Sequence, residues 1–189
     1  MALTPDGLQT YVSNGGAGGV IRATDDPDGS NMQGLGGDDS LRGGKYDDSL
    51  DGGAGNDSLF GGLGNDIFKI DISDIVDGSD TDKILDLTFT EEEGVDNDIL
   101  SLDGFAAGTF VDALGANALG DGGHVHIRGW TGLHNAMISA INAGVSVSAS
   151  QMGSTNALLL VIDDGTGHVQ NLVISNGYSA FMAAGGLVA

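Results

Sequence analysis

The chain contains no cysteine and carries very little positive charge. Its 189 residues include 6 lysines and arginines against 27 aspartates and glutamates, for a formal net charge of -21. Binding to nucleic acid or to an anionic membrane surface needs basic side chains, so neither partner is expected. Without cysteine, disulfide bonds and cysteine-ligated zinc are excluded.

Long apolar segments are absent as well. No run approaches the ~18 apolar residues of a membrane span, and residues 1–12 lack the basic and apolar regions of a cleavable signal peptide. Hydrophobic residues nevertheless make up 40% of the chain, which predicts a folded core rather than full disorder. The length suits one medium domain or two small ones.

The acidic residues are concentrated in the first half of the chain. Of the 27, 22 lie between Asp25 and Asp103. Two carboxylates ~4 Å apart repel by about 1 kcal/mol in water and by about 4 kcal/mol at an effective dielectric constant of ~20. The basic residues are too few to neutralise this charge, whereas bound divalent cations would. A solvated acidic linker, the alternative, does not explain why the acids recur periodically among apolar residues.

A nine-residue repeat runs through residues 34–69. Glycine fills most of positions one, two and four, while position six is always aspartate and position eight is always large and apolar. The position-six residues are Asp39, Asp48, Asp57 and Asp66, and the position-eight residues are Leu41, Leu50, Leu59 and Phe68. Four copies in register are a strong signal, and a flexible glycine linker has no reason to place Leu or Phe at every ninth residue.

Each nonapeptide is predicted to form one turn and one short strand, so that two of them complete a coil. Glycine permits positive φ in the turn, and the position-eight side chain faces inward. Turns eighteen residues apart then stack, which places Asp39 beside Asp57 on one edge and Asp48 beside Asp66 on the other. Carboxylates together with backbone carbonyls form an all-oxygen ligand set, which favours Ca²⁺. Two such pairs predict two calcium ions, and the flanking segments a few more.

The repeat resembles the RTX (haemolysin-type) calcium-binding nonapeptide, GGxGxDxUx. The resemblance implies an all-β fold, in which a parallel β-roll of RTX nonapeptide coils is followed by a β-rich cap or C-terminal module with one or two short helices. It also implies Ca²⁺ between stacked turns, held by position-six aspartates and by carbonyls of positions two and four. The implied ligands are Gly37, Asp39, Gly44, Tyr46, Asp48, Gly53, Gly55, Asp57, Gly62, Gly64 and Asp66.

Two copies depart from this pattern, and a degraded copy precedes them. Leu35 replaces the position-two glycine of the first copy and Tyr46 the position-four glycine of the second, so strained or weaker sites are expected there. Upstream, the same frame places Asp28 at position four, Ser30 at position six and Met32 at position eight. Asp28 is therefore a candidate ligand of a half-site.

Alternating aspartates and aliphatic residues continue over residues 70–105 and predict strands. This segment is similar to the one that follows the roll in serralysin-type secreted proteins, with Leu87 in place of a phenylalanine and a longer turn at residues 91–94. The aspartates of this segment either bind calcium or form a solvated strand face. Four of them are further candidate calcium ligands: Asp80, Asp82, Asp86 and Asp98.

The chain is divided at this point into residues 1–105 and a β-rich C-terminal module, residues 106–189. In the module we expect a strand over residues 124–130, a helix from Thr131, as its N-cap, to Ala143, and a strand over 145–149. A hairpin of residues 157–162 and 168–174 resembles the closing hairpin of serralysin C-terminal domains. The tail, residues 178–189, is expected to be a secretion signal, a packed final helix, or both.

No catalytic motif is present, so a non-enzyme is predicted. The chain has no HExxH, no GxSxG and no GK[ST]. His124 and His126 have a spacing that suits a transition metal, with His134 or His168 as a third ligand. A surface or packed histidine pair is the favoured interpretation.

The family resemblance implies a secreted, bacterial calcium-binding protein that leaves the cell through type I secretion machinery. It would stay unfolded at low cytosolic Ca²⁺ and fold outside, at ~mM Ca²⁺, where ligands bind only the coiled state. The expected role is structural, in a surface layer, matrix or self-assembly, with calcium ions, other copies or a cell-surface or matrix component as partners. An adhesin or an accessory module of a secreted enzyme is the alternative, and an enzyme with a site in residues 104–189 is less favoured.

Overall fold

Strands dominate the computed structural model, which describes residues 2–3, 9–13, 16, 18–23, 28–75, 78–90, 96–105 and 125–187. Two α-helices, α1 (Gly129–Asn142) and α2 (Tyr178–Ala183), and a 3-10 turn at Ile72–Asp74 complete the described secondary structure. The strands are β1 (Ala2–Leu3), β2 (Gln9–Val12), β3 (Val20–Arg22), β4 (Ser30–Gln33), β5 (Ser40–Arg42), β6 (Ser49–Asp51), β7 (Ser58–Phe60), β8 (Ile67–Asp71), β9 (Ser79–Ile84), β10 (Ile99–Asp103), β11 (Val125–Ile127), β12 (Ser146–Gln151), β13 (Leu158–Asp163) and β14 (Val169–Ile174).

The repeat strands alternate between two sheets. One sheet has the order β1-β2-β4-β6-β8-β10-β11, and the other has the order β12-β13-β14-β9-β7-β5-β3. Strands of the repeat pair in parallel with the strand two repeats away, so that Leu41 lies opposite Leu59 and Leu50 opposite Phe68. Two nonapeptides therefore complete one coil, and the predicted stacking at an offset of eighteen residues is confirmed.

The position-eight side chains form the centre of the roll. Leu41, Leu50, Leu59 and Phe68 are all fully buried, as is Met32 in the degraded copy. Burying such a side chain contributes about 1.5–3 kcal/mol. The residues on either side of it in each strand point outward. One apolar side chain from each nonapeptide is therefore enough to fill the space between the two sheets.

Backbone contact between coils explains the glycines at positions two and four. A Cβ atom placed on Gly55, where φ is +125°, would lie 2.6 Å from the carbonyl oxygen of Gly37 in the preceding coil. Leu35 takes up a left-handed φ of 71°, which confirms the strain expected at that position. Neither Gly44 nor Tyr46 is left-handed, so the turn of the second copy has a different backbone conformation.

The second half of the chain adds strands to both sheets. β14 pairs in parallel with β9 and antiparallel with β13, and β11 pairs antiparallel with β10. The predicted hairpin and both predicted strands are confirmed, and no helix within the described ranges is long and apolar enough to cross a membrane. The boundary at residues 105 and 106 stays a prediction, since residues 106–124 lie outside the described part of the chain.

The start of α1 was predicted wrongly. The helix begins at Gly129, and its N-cap is the extended residue Arg128, which makes no side-chain capping hydrogen bond. Gly129 has a φ of +78°, so the chain turns there rather than at Thr131. The predicted end is confirmed, because Gly144 is left-handed and terminates the helix.

Candidate metal centre

The position-six aspartates form two ladders, one on each edge of the roll. In the third and fourth copies the carboxylate reaches back one coil and accepts a hydrogen bond from the backbone N–H of the preceding aspartate, whereas Asp39 accepts from Gly19 N–H. On the first edge, Asp57 Oδ1 accepts from Asp39 N–H at 2.7 Å, and on the second, Asp66 Oδ1 accepts from Asp48 N–H at 2.8 Å. The structure thus brings together both predicted pairs.

Two of the candidates beyond the repeat extend these ladders. Asp82 Oδ1 accepts from Asp57 N–H at 2.9 Å, and Asp98 Oδ1 accepts from Asp66 N–H at 3.0 Å. The first edge therefore carries three stacked carboxylates and so does the second. All six are buried: Asp39, Asp48, Asp57, Asp66, Asp82 and Asp98.

The second carboxylate oxygen, Oδ2, has a hydrogen-bond donor in some ladder residues and none in others. Asp39 Oδ2 and Asp57 Oδ2 are buried without any hydrogen-bond donor. By contrast, Asp82 Oδ2 accepts from Gln170 Nε2 at 3.0 Å and Asp98 Oδ2 accepts from Thr88 N–H at 2.7 Å. Asp48 Oδ2 on the second edge likewise accepts from Gly44 N–H at 2.7 Å. Since a buried carboxylate oxygen without a donor is costly, Asp39 and Asp57 are the ladder residues that a bound cation would stabilise most.

Burial shifts the titration of these groups strongly. Burial, with repulsion from Asp39 among the smaller causes, raises the pKa of Asp57 from 3.8 to about 7. Burial and the neighbouring Asp98 and Asp48 raise the pKa of Asp66 to about 8. Burial also raises the pKa values of Asp39 and Asp48. Ionised ladders are therefore unfavourable in this fold unless a cation compensates them.

The oxygen atoms in and around the ladders suit a hard cation that binds carboxylate and carbonyl oxygens. Within the residues that the structure describes, no three His, Asp or Glu side chains converge on one point. An ion between coils would therefore need backbone carbonyls as well as the paired carboxylates, and oxygen-only coordination of this kind is typical of Ca²⁺. The predicted carbonyl donors stay predictions, and they lie in the same stacked turns: Gly37, Gly44, Tyr46, Gly53, Gly55, Gly62 and Gly64.

Asp80 and Asp86 bind the backbone of the preceding coil outside the ladders. Asp80 Oδ2 accepts from Gly55 N–H at 3.2 Å. Asp86 accepts from the N–H groups of Gly61 and Gly62 at 3.0 and 2.9 Å, and burial raises its pKa. Asp28 is exposed in the turn before β4, where the buried Ser30 takes the ladder position. Ligation by these three aspartates stays a prediction.

Position five of the repeat carries a second set of contacts that sequence reasoning missed. Asp38 Oδ1 accepts from Asn56 N–H at 2.9 Å, and Asp47 Oδ1 accepts from Asn65 N–H at 2.8 Å. These side chains reach forward to the next coil, whereas those of position six reach back. The signal was present, because position five is Asp or Asn in every copy.

Position-one glycines also have a role that the sequence did not reveal. A Cβ atom on Gly61 would lie 2.1 Å from Asp66 Oδ2, and one on Gly52 would lie 2.1 Å from Asp57 Oδ2. The carboxylate of each repeat therefore folds back over the first glycine of the same repeat. Any larger residue would displace that carboxylate from the ladder.

The histidines do not form a second metal centre in the described part of the chain. His126 is exposed on β11, His134 lies on α1, and His168 lies beside Asp164 at 3.3 Å in the β13–β14 turn. No group of three metal-binding side chains includes them there. His124 falls outside the described residues, so the predicted His124 and His126 pair is not tested.

Comparison with known families agrees with the ladder geometry. Residues 33–68 match the family model of the RTX calcium-binding nonapeptide repeat (4 copies), which covers about a fifth of the 189 residues. This repeat family binds Ca²⁺, so the match identifies the cofactor of the segment that carries both predicted aspartate pairs. No curated protein and no solved structure matches the chain. The resemblance of residues 70–105 and 155–189 to serralysin-type proteins is unsupported, because the family match ends at residue 68.

Proposed function

We propose that this protein is a secreted calcium-binding protein whose roll folds when Ca²⁺ binds between its coils. The observation that carries the proposal is the pair of buried Oδ2 atoms of Asp39 and Asp57, which have no donor. A calcium ion held by these two carboxylates and by carbonyls of the stacked turns would satisfy both. Asp48 and Asp66 form the corresponding pair on the second edge, where an ion would share Asp48 Oδ2 with the Gly44 N–H that donates to it at 2.7 Å.

Calcium would act as the counter-charge that the chain lacks. Six buried carboxylates repel one another in the ladders, and only 6 basic residues are present in the whole chain. A ligand that binds only the folded state stabilises it by RT ln(1 + [L]/Kd), which is about 2.7 kcal/mol per site at a hundredfold excess over Kd. Two sites would together supply about 5 kcal/mol, comparable to the whole stability of a small domain.

This dependence suits a protein that folds after export. RTX repeats are typical of secreted, extracellular proteins. A chain with this much uncompensated negative charge would stay unfolded where free Ca²⁺ is scarce and fold where it is plentiful. We further propose the type I route, with the C-terminal tail that includes α2 as the export signal, and a structural role outside the cell rather than catalysis.

The test is a calcium titration followed by far-UV circular dichroism and isothermal calorimetry. Starting from chelator, the wild type should gain β-structure on addition of Ca²⁺ and gain little with Mg²⁺, which tolerates fewer and more rigidly placed ligands. Asp57→Ala should raise the calcium concentration at the midpoint at least tenfold. A spectrum that is already β-rich in chelator at about pH 8.5, where the ladder carboxylates are ionised, or identical curves for the two proteins, would refute the proposal.

A further inference from the structure

The strand β12 forms an open edge of the roll's second sheet. Within the described residues it pairs with β13 alone, through six consecutive residue pairs from Ser146 to Gln151. Met152 N–H donates to Ala157 C=O at 2.9 Å. Because hydrogen-bonded and non-hydrogen-bonded pairs alternate in an antiparallel ladder, the N–H and C=O groups of Val147, Ala149 and Gln151 point away from β13.

This edge has none of the features that usually prevent pairing with another strand. Exposed edges are commonly protected by lysine, proline, a bulge or a very short strand. β12 has the sequence SVSASQ, with no charge and no proline, and its register with β13 is unbroken. Edge strands β3 and β11, by comparison, are only three residues long. β12 is therefore the most available edge that the structure describes.

The distribution of charge favours a second copy of this chain as the partner that pairs with the β12 edge. Of the 27 acidic residues, 22 lie between Asp25 and Asp103, so two rolls that meet side by side repel each other. The region around β12 is nearly neutral, because residues 125–187 contain only Asp163, Asp164 and Arg128 as charged groups other than histidine. Two molecules can approach closely there without bringing their acidic halves together.

The sequence of β12 is nearly symmetric about Ser148, and this symmetry suits a two-fold contact. Centring an antiparallel pair on Ser148 places Val147 opposite Ala149 of the other copy, and these are the residues whose backbone groups point outward. Four main-chain hydrogen bonds can then form, and serines meet serines on the solvent face. Val147 and Ala149 pack against the core from the inner face, so the apolar layer would continue across the junction.

Exposed apolar side chains lie near this edge as well. The helix α1 packs against β12, and it leaves Ile138 and Ile141 39% and 41% exposed. Met152, directly after β12, is 44% exposed. A strand-to-strand junction alone is a small interface, which is typical of weak association, and these side chains offer further apolar area beside it.

We propose that two copies of the protein pair antiparallel through β12 to form a closed dimer with one continuous sheet. The inference rests on the proposed structural role and names the surface by which copies join. Because the contact is isologous and uses the β12 edge of both molecules, the dimer leaves neither β12 edge free and the pairing stops at two copies. It therefore differs from open-ended polymerisation through the ends of the roll.

The test is sedimentation equilibrium of the calcium-saturated protein from about 10 µM to about 1 mM, a range suited to weak association. The wild type should move from its monomer mass of 19.0 kDa toward twice that value as concentration rises. Ser148→Lys places two like charges across the two-fold axis and should weaken the dimer at least tenfold, even though it lowers the net negative charge of the chain. Ser40→Lys, an exposed serine on β5 of the same sheet, should leave the mass unchanged.

Circular dichroism of the same samples separates this inference from the proposed function. A wild type that gains β-structure with Ca²⁺ but stays a monomer at every concentration would overturn the dimer and leave calcium-dependent folding intact. So would equal effects of Ser148→Lys and Ser40→Lys, or a series of species much larger than two copies. Failure to fold with Ca²⁺ would instead refute the proposed function.

Discussion

The substitution Asp57→Asn should change stability in opposite directions with and without calcium. Asparagine keeps the acceptor that Asp57 Oδ1 offers to Asp39 N–H and removes the charge on an oxygen that has no donor. In chelator the variant should therefore be more stable than the wild type. In calcium it should be less stable, because a charged ligand of the proposed site is lost.

The magnitude follows from the environment of this carboxyl group. Its pKa is raised from 3.8 to about 7. At about 1.36 kcal/mol per pKa unit, ionised Asp57 destabilises the calcium-free fold by at most about 4 kcal/mol. Solvent screening reduces that figure to about 2 kcal/mol, and the buried amide of asparagine offsets part of the gain. We expect a stabilisation of about 1–2 kcal/mol in chelator at about pH 8.5. With Ca²⁺ at a hundredfold excess over Kd, the lost site removes about 2.7 kcal/mol, and the sign reverses.

Because the apo chain is expected to be unfolded at this pH, its stability in chelator is measured from the concentration of a stabilising osmolyte that folds it. Urea denaturation measures the stability in Ca²⁺, and Asp47→Asn is the matched control in both experiments. Asp47 is exposed at position five, where the third and fourth copies already have asparagine. Its acceptor role toward Asn65 N–H survives the change, so both conditions should give differences within about 0.5 kcal/mol. If Asp57→Asn destabilises the protein equally in the two conditions, the assignment of Asp57 as a calcium ligand is wrong.

Three further predictions follow from the same geometry. In chelator, stability should be greatest near pH 4 and fall as pH rises to about 8, because buried Asp57 and Asp66, with pKa values raised to about 7 and about 8, must ionise in the fold; thermal melts independent of pH would contradict this. Gly61→Ala places a Cβ atom 2.1 Å from Asp66 Oδ2 and should lower calcium affinity at least tenfold by calorimetry, whereas Gly36→Ala, whose Cβ would meet its nearest neighbour at 3.7 Å, should have little effect. Leu35→Gly relieves a left-handed φ of 71° and should stabilise the calcium form by about 0.5–1 kcal/mol in urea denaturation; a loss of stability would show that the leucine side chain contributes more than its backbone costs.

The repeat alone predicted the roll, its register and its core. A period of nine with Leu41, Leu50, Leu59 and Phe68 at one position allows only one inward face, and stacking at eighteen residues follows from two strands per coil. The ladder pairs within the repeat follow from the same spacing. These features were predictable because each depends on residues close in sequence.

Contacts between residues far apart in the sequence could not be predicted from the repeat. Beyond the repeat, the ladder spacing grows from 18 to 25 residues at Asp82 and to 32 at Asp98. Asp80 and Asp86 lie in the same acidic segment as Asp82, and no periodic pattern separates them from it. The sequence therefore could not show which of these aspartates enter the ladders. The partner of Asp82, Gln170, lies 88 residues further along the chain, and no local pattern connects them. The position-one glycines were assigned only to turn formation, because a steric contact with a carboxylate leaves no trace in composition.

The opposite directions of the position-five and position-six hydrogen bonds have a consequence for how the roll comes apart. An interior nonapeptide is tied forward by one side chain and backward by the next, so it cannot detach without breaking contacts on both sides. Each coil is then stabilised mainly by its two neighbours, as in other repeat proteins. Unfolding that starts in the middle of the stack breaks contacts on both sides, so unfolding is expected to start at the two ends. Mechanical pulling or a protease should therefore meet resistance that grows with distance from the nearest terminus of the roll.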